Sequence, residues 1–162
     1  MKGKVVSINV SNKKGMKKTP VKEATVFENK GIGGDAHASS EWHRQVSLLG
    51  IESIKKMQDK GLDVKPGDFA ENLTTEGIDL LKLLIGTRLK IGKDVLGEVS
   101  QIGKECHTRC AIYQQAGDCV MPTEGIFIRI LKGGLIKVGD EIVIMERKPI
   151  EYYLTGVEER PY

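Results

Sequence analysis

The fold is decided by the stretch Thr87–Ile102, which reads TRLKIGKDVLGEVSQI. Two β-prone runs, Thr87–Ile91 and Val95–Ile102, flank a turn at Gly92-Lys93-Asp94, and this arrangement predicts two joined strands. Gly-Asp pairs at residues 34–35, 67–68, 117–118 and 139–140 mark further turns of the kind that separate short strands in barrels.

Further strands are predicted outside this stretch. The segments with short apolar or alternating patterns are Val5–Val10, Pro20–Phe27, Gln45–Leu49 and Glu141–Met145. In the first of them, alternation would place Val6, Ile8 and Val10 on one face.

Helices are few. One is predicted over Ser53–Lys60, continuing from Gly50–Glu52 and stopped by Gly61. Its apolar stripe at helical spacing consists of Ile51, Ile54 and Met57. A second helix is predicted over Cys110–Ala116. Many short strands with few helices predict a mainly β protein, a β-barrel with helical insertions.

Composition limits the function classes. A chain of 162 residues suits one domain, and 40% hydrophobic with 29% charged residues is typical of a soluble globular protein. The net charge of +3 is uneven, because residues 1–30 carry eight lysines against two glutamates. Aromatic residues make up only 5% and do not alternate with basic ones, so we expect no nucleic-acid partner.

No secretory signal and no run of transmembrane length is visible in the sequence. We therefore expect no membrane association and a cytoplasmic location. In a reducing compartment, clustered cysteines are more often catalytic, redox-active or metal-binding than disulfide-bonded.

The chain has three cysteines, and two of them stand in the run GKECHTRC at residues 103–110. Cationic neighbours lower the pKa of a thiol, and the thiolate is the reactive form. Lys104, His107 and Arg109 are such neighbours for Cys106 and Cys110. These two cysteines are therefore candidates for a nucleophile that carries sulfur, or for ligands of a soft metal.

Two alternatives remain for the cysteines. A zinc site would need a second ligand pair, supplied by Cys119 or by the distant His37 and His43. Cys119 stands beside Val120 and Met121, a setting typical of a buried packing residue.

Two polar segments are candidate site loops. Residues 33–45, GGDAHASSEWHRQ, combine a glycine turn with Asp35, two histidines, Trp42 and Arg44. Residues 65–77, KPGDFAENLTTEG, form a turn-rich loop that could present Asn72, Thr74 and Thr75 to a polar ligand. No standard phosphate loop and no Gly-x-Ser-x-Gly motif is present.

Taken in order, four motifs resemble one family. They are HRQVSLL at 43–49, PGDFAENLTTEG at 66–77, GTRLKIG at 86–92 and GKECH at 103–107, and the closing GIF at 125–127 and Gly139-Asp140 fit the same pattern. Together they resemble the MOSC domain, which is named for the C-terminal part of molybdenum cofactor sulfurases. The resemblance covers roughly residues 3–146.

The resemblance implies a barrel-like fold of the pyruvate-kinase-barrel type, closed or partly closed. It assigns residues 1–146 to one MOSC domain and residues 147–162 to a C-terminal tail. It also implies a molybdopterin-type cofactor and no pyridoxal phosphate, because the chain has no room for a cysteine desulfurase domain.

For the site, the resemblance implies a functional cysteine at Cys106, although Glu105 stands where many members have proline. Arg109-Cys110 resembles instead the pair that supplies the metal ligand in amidoxime-reducing members. Asp35, His37 and Asn72 are carried over as pocket residues, and we add Thr74 to them. The candidate anion partners for the cofactor's phosphate are Arg44, Arg88 and Arg109.

Three functions follow as hypotheses. The first is a carrier that binds molybdenum cofactor, holds sulfur or molybdenum on Cys106 or Cys110, and works with a sulfur donor or a molybdoenzyme acceptor. The second is a molybdenum-dependent reductase of N-hydroxylated compounds. The third is a non-catalytic zinc-binding or interaction module.

Overall fold

The structure, a computed structural model, describes residues 1–103 and 121–145 of the chain, except for the side chain of Pro122. These two ranges contain eleven strands: β1 (Lys2–Val10), β2 (Thr19–Val21), β3 (Glu23–Phe27), β4 (Gly31–Ile32), β5 (Val46–Gly50), β6 (Leu73–Glu76), β7 (Arg88–Ile91), β8 (Val95–Ile102), β9 (Ile126–Lys132), β10 (Gly134–Lys137) and β11 (Glu141–Met145). They also contain the helices α1 (Ile51–Asp59) and α2 (Met121–Glu124) and a short 3-10 helix, Leu80–Lys82.

Seven of the described strands close a barrel in the order β11-β7-β8-β9-β5-β6-β1, because β1 also pairs with β11. All neighbours are antiparallel except β5 and β6, which run parallel and are connected through α1. Strand β2 extends the sheet from the far end of β1, and β10, β3 and β4 form a separate small sheet. The prediction of a mainly β protein with a closed barrel is confirmed.

The predicted pair of strands in Thr87–Ile102 is the hairpin β7–β8. Its register pairs Arg88 with Glu98 and Ile91 with Val95, leaving residues 92–94 as the turn. Gly92 has a φ of +64°, a backbone conformation that residues with a Cβ rarely adopt. The local sequence therefore predicts this hairpin and its turn, and in the barrel β7 and β8 also pair with β11 and β9.

The barrel interior is apolar. Inward-facing residues from every strand of the ring form one cluster of buried side chains, which includes Val5, Ile8, Val46, Leu48, Leu73, Leu89, Ile91, Val95, Val99, Ile126, Ile128, Ile130 and Ile142. Non-directional burial of this kind is the main stabilising contribution to such a fold.

Helix α1 packs on the outside of the barrel. As the sequence predicts, Ile54 and Met57 are fully buried, and Ile51 is partly buried against them. With Leu49, Val64, Phe69, Met121 and Phe127 they form a second apolar cluster. Gly61 has a φ of +91°, which fits its predicted role in stopping the helix.

The predicted face of the first strand is correct for Ile8 and Val10, which lie in or against the interior cluster, but wrong for Val6. The pairing of β1 with β6 shifts register between Val5 and Ser7, which marks a β-bulge. The bulge adds one residue and breaks the two-residue period, so the interior receives Val5 and Ile8 rather than Val6 and Ile8. Ser7 and Asn9 are consequently buried on the outer face of the barrel.

Two other predictions differ from the structure, and a third is not tested by it. The single strand predicted over Pro20–Phe27 is divided into β2 and β3, which belong to different sheets. Part of the predicted loop at residues 65–77 is strand β6. The helix predicted over Cys110–Ala116 lies outside the described residues. Within the described residues, no helix combines the length and apolarity needed to cross a membrane.

Candidate functional site

A layer of buried polar side chains covers the outer face of β5, β6 and β1. We call it the outer polar layer, and its members are Ser7, Asn9, Ser47, Glu71, Asn72 and Thr74. Their apolar neighbours Ile8, Leu48 and Leu73 point into the barrel. Buried polar groups must be paired to avoid a desolvation cost, so hydrogen bonds fix the geometry of this layer.

Asn72 connects three strands of the layer. Its Oδ1 accepts hydrogen bonds from the backbone N–H of Ser47 at 3.0 Å and from the Ser47 hydroxyl at 3.3 Å. Its Nδ2 donates to the carbonyl oxygen of Asn9 at 3.2 Å. A residue predicted to contact a ligand is thus placed where it also holds the strands together.

Asn9 and Thr74 form a chain of hydrogen bonds that ends at the buried carboxyl group of Glu71. The Thr74 hydroxyl donates to Glu71 Oε2 at 2.8 Å and accepts from Asn9 Nδ2 at 3.1 Å. Ser7 donates to Asn9 Oδ1 at 2.7 Å, which extends the chain of hydrogen bonds across the layer.

Glu71 is completely inaccessible to solvent. Burial raises its pKa from 4.5 to about 7, although the Thr74 hydroxyl and nearby backbone N–H groups lower the pKa in part. The side chain therefore keeps its proton between these two pH values, where an exposed glutamate is ionised, and titrates around neutral pH.

Asp35 and His37 share a buried cation, Lys18. The Lys18 ammonium donates to Asp35 Oδ1 at 2.6 Å and lies 3.1 Å from His37 Nδ1. Asp35 also accepts from the backbone N–H groups of Ser11 at 3.1 Å and His37 at 3.1 Å. We call Lys18, Asp35 and His37 the buried triad.

The charge state of Asp35 follows from this pairing. Burial by itself raises the pKa of the carboxyl group, but the hydrogen bond and the charge of Lys18 outweigh it and hold the pKa below its ordinary value. The backbone N–H of Ser11 and the Asn72 amide add to this lowering. Asn72, a member of the outer polar layer, thereby also interacts with Asp35 of the buried triad.

Gly67 packs the second site loop against Lys18. Its carbonyl oxygen accepts from the Lys18 N–H at 2.8 Å. Its φ is +92°, and a Cβ there would collide with the Lys18 carbonyl oxygen and crowd the Asn9 side chain. Only glycine allows this close approach, which explains why a Pro-Gly-Asp turn stands at residues 66–68.

Arg44 lies beside the layer between two aromatic rings. Its guanidinium carbon is 5.0 Å from the Trp42 ring centroid and 5.4 Å from that of Phe127. Both distances suit a cation–π interaction. Its Nε is buried without a hydrogen-bond partner among the described residues.

Arg88 is placed elsewhere. It lies in β7, which is separated from β5 by β8 and β9. Its Nε is 3.8 Å from Glu98 Oε2 on the paired strand. Of the predicted site residues that the structure describes, the fold thus brings together Asp35, His37, Asn72 and Thr74, and Arg44 lies two residues before β5, against Phe127 of β9.

The predicted residues Cys106, Arg109 and Cys110 lie outside the described residues, as does Cys119. The described residues that flank this segment are Gly103 and Met121. Gly103 donates a backbone hydrogen bond to the Gly125 carbonyl at 2.7 Å, and Met121 is buried in the same cluster as Phe127. Among the described residues, no group of three or more histidine, cysteine, aspartate or glutamate residues could hold a metal ion.

One cleft among the described residues lies away from this location. It has a volume of about 380 Å³, lies at the N-terminal end of α1, and contains none of the predicted site residues. A smaller cleft of about 290 Å³ is lined by Trp42 and His43 and adjoins Arg44. The polar groups rather than the cavity volume therefore identify the candidate site.

The family model of the MOSC domain matches residues 30–143, which include the outer polar layer apart from its β1 residues and the buried triad apart from Lys18. The chain belongs to the MOSC domain family. This family is related to molybdenum cofactor, and the barrel of this MOSC domain agrees with the fold that the resemblance implied.

Solved structures agree on the fold. The YuaD protein from Bacillus subtilis is 18% identical, with a TM-score of 0.72, over 88% of this chain and 94% of that one. YiiM from Geobacillus stearothermophilus is 23% identical, with a TM-score of 0.67, over 89% and 75% of the two chains. YiiM from Escherichia coli is 17% identical, with a TM-score of 0.65, over 91% and 71%. No curated protein matches the sequence significantly.

Sequence reasoning missed Lys18. It stands in the polar loop that begins at residue 11, where four lysines gave no sign that one of them is buried. Its neighbour Lys17 is exposed, whereas the Lys18 side chain has no accessible surface. Ser7, Asn9 and Ser47 were missed because each lies within a strand whose apolar residues dominate the pattern.

Proposed function

We propose that this MOSC domain is a cytoplasmic protein that binds a molybdopterin-type cofactor and carries sulfur, or ligates molybdenum, through Cys106 or Cys110. The observation that carries the proposal is the family match over residues 30–143, which includes the cysteine segment and most of the polar groups of the site. When bound, the cofactor supplies a molybdenum centre that takes thiolate ligands, and a phosphate.

The donor set of the site fits an anionic group. Arg44 is held between Trp42 and Phe127, and its buried Nε has no acceptor among the described residues. A guanidinium fixed in this way is a strong donor for phosphate oxygen. Arg44 and His37 would hold the cofactor's anionic part, with Arg109 as a further donor from the cysteine segment.

The ends of the cysteine segment support the same location. Gly103 is the last described residue of the first range, and Cys106 follows it after two intervening residues. Met121, the first described residue after the segment, packs with Phe127, which also contacts Arg44. The segment therefore leaves and returns to the part of the barrel that carries the proposed anion site.

A carrier of this type needs protein partners. We propose a sulfur-donating protein and a molybdoenzyme acceptor, because a cysteine that carries sulfur needs both a source and a recipient for it. The alternative hypothesis of a molybdenum-dependent reductase of N-hydroxylated compounds uses the same cofactor and differs by catalytic turnover.

The test is elemental analysis and intact-mass spectrometry of the protein purified from a host that makes molybdenum cofactor. We expect bound molybdenum and, after incubation with a persulfide donor whose own thiolate leaves as its outer sulfur passes to the cysteine thiolate, a persulfide on the protein. Cys106→Ser should lose one or both, and Cys110→Ser shows whether the second cysteine contributes. Cys119→Ser is the matched control and should retain both.

The proposal fails if the unmodified protein retains no cofactor and neither cysteine accepts a persulfide. Reductant-driven turnover of a hydroxylamine compound would contradict the carrier hypothesis and support the reductase hypothesis. Stoichiometric zinc that is lost in the Cys106→Ser and Cys110→Ser double variant would favour the zinc-binding module.

A further inference from the structure

We propose that Lys18 is a positioning residue that fixes His37 as the tautomer with its proton on Nε2. In this state His37 offers an N–H donor to an anionic oxygen or a sulfur atom of the bound group. The second half of this inference rests on the proposed function, whereas the first half concerns the protein without any ligand.

In the hydrogen bond between Lys18 and His37, Lys18 must be the donor and His37 the acceptor. The Lys18 ammonium lies 3.1 Å from His37 Nδ1, and an ammonium group has three donors and no acceptor. Nδ1 must therefore offer its lone pair. In a neutral imidazole the single proton is then on Nε2.

Asp35 does not compete for the Nδ1 position. Its Oδ2 is 3.8 Å from His37 Nδ1, which is beyond hydrogen-bonding distance, and accepts instead from the His37 backbone N–H at 3.1 Å. Its Oδ1 accepts from Lys18 at 2.6 Å. The ammonium thus lies between the carboxylate and the imidazole. Without it, a direct contact of the carboxylate with Nδ1 would favour a proton on Nδ1.

A proton on Nδ1 would point at the Lys18 ammonium, which cannot accept it. Asp35, the carboxylate of the buried triad, already receives the hydrogen bond of Lys18.

Lys18 acts through His37 because a ligand cannot reach Lys18 itself. The side chains of Lys18 and Asp35 are 0% and 1% exposed, whereas that of His37 is 37% exposed. The imidazole is thus the accessible member of the buried triad, and Nε2 lies on the edge of the ring away from Lys18. A hydrogen-bond donor there suits a phosphate oxygen or a sulfur atom.

The decisive measurement is the tautomer of His37 in the cofactor-free protein. Long-range ¹H–¹⁵N correlation spectra of the ¹⁵N-labelled chain distinguish the two neutral forms and the imidazolium, and His37→Gln assigns the signal among the three histidines. We expect the proton on Nε2. A proton on Nδ1 in the unmodified protein overturns the inference, whether or not any variant folds.

Variants then test the cause. In Lys18→Met the nearby Asp35 charge attracts a proton to Nδ1, so we expect the His37 signal to move to the Nδ1–H form or to the imidazolium. Lys17→Met, which changes an exposed lysine next to it, should leave the signal unchanged. A Lys18→Met protein that is folded and keeps the original tautomer shows that Lys18 does not set it.

Cofactor retention tests the second half of the inference, which is that His37 donates a hydrogen bond to the bound group. We expect Lys18→Met to bind molybdenum cofactor about tenfold more weakly than Lys17→Met, the effect of losing one well-placed hydrogen bond. Equal retention would overturn the role in ligand binding. If the tautomer is as proposed but no variant and no parent protein binds the cofactor, the proposed function fails while the positioning of His37 by Lys18 stands.

Discussion

Strands β5, β6 and β1 have two faces that differ in chemistry and in how they are stabilised. Their inner residues, such as Leu48 and Leu73, meet only apolar neighbours in the barrel interior. Their outer neighbours, such as Ser47 and Thr74, are equally buried but depend on directed hydrogen bonds. The interior tolerates changes of shape better than loss of volume, whereas the outer polar layer does not tolerate a lost hydrogen bond and the buried triad does not tolerate a lost charge.

The sharpest way to break the polar side of this comparison is Lys18→Met. Removal of one member of a buried ion pair leaves the Asp35 charge uncompensated and should cost about 3–5 kcal/mol of unfolding free energy. Urea denaturation measures the change, with Lys17→Met as the exposed control. The Lys18→Met, Asp35→Asn double variant should recover part of the loss, and a single variant as stable as the control would contradict the prediction.

The matching test of the interior is Leu48→Ala. The side chain is fully buried, so its truncation removes apolar contacts and leaves a cavity, at a cost of about 2–5 kcal/mol. Leu135→Ala, at a side chain that is 46% exposed, is the control and should change stability by less than about 0.5 kcal/mol. Similar effects of the two substitutions would show that the interior is not packed as described.

Glu71→Gln should stabilise the protein above neutral pH. Because burial raises the pKa of Glu71 to about 7 from 4.5, the unfolded chain loses the proton first as pH rises. The unfolding free energy of the parent protein therefore falls as pH rises between these two values. Above about pH 7 the decrease is complete and amounts to about 3 kcal/mol at most. The glutamine keeps an acceptor for Thr74 without a charge.

The measurement is the unfolding free energy of Glu71→Gln and its parent from pH 4 to pH 8, with Glu41→Gln at an exposed position as control. The difference should grow as pH rises. Asp35 works in the opposite sense, because its pKa is lowered and its contribution is lost only below the ordinary value of 3.8. A pH-independent effect of Glu71→Gln would contradict the assigned protonation.

The smallest effect is expected for Arg44→Met. The substitution removes the cation between Trp42 and Phe127 but keeps an apolar side chain, so we expect a loss of about 0.5–1 kcal/mol. Trp42 is the single tryptophan of the chain, so its fluorescence reports the change directly. Lys90→Met, on exposed β7 surface, is the control; unchanged fluorescence in Arg44→Met would contradict the stacked arrangement.

The elements that the sequence predicted correctly depend on interactions between residues close together in the chain. The hairpin β7–β8, helix α1 and strand β11 were predicted because each depends on a short pattern and an adjacent turn. In strand β1 the predicted face holds for Ile8 and Val10 but fails at Val6, because the bulge between Val5 and Ser7 exists only through pairing with β6, more than sixty residues away. Strand β6 was mistaken for a loop, because its polar outward residues conceal a four-residue strand.

The sequence by itself determined the mainly β barrel, the position of α1 and the residue types that could bind an anion, because alternation, glycine turns and charge are local properties. Only the tertiary structure decided that Lys18 is buried between Asp35 and His37, and that Asn72 joins Ser47 to Asn9. Whether a lysine is solvated or buried depends on the groups that surround it in space, and a pattern along one strand does not contain them.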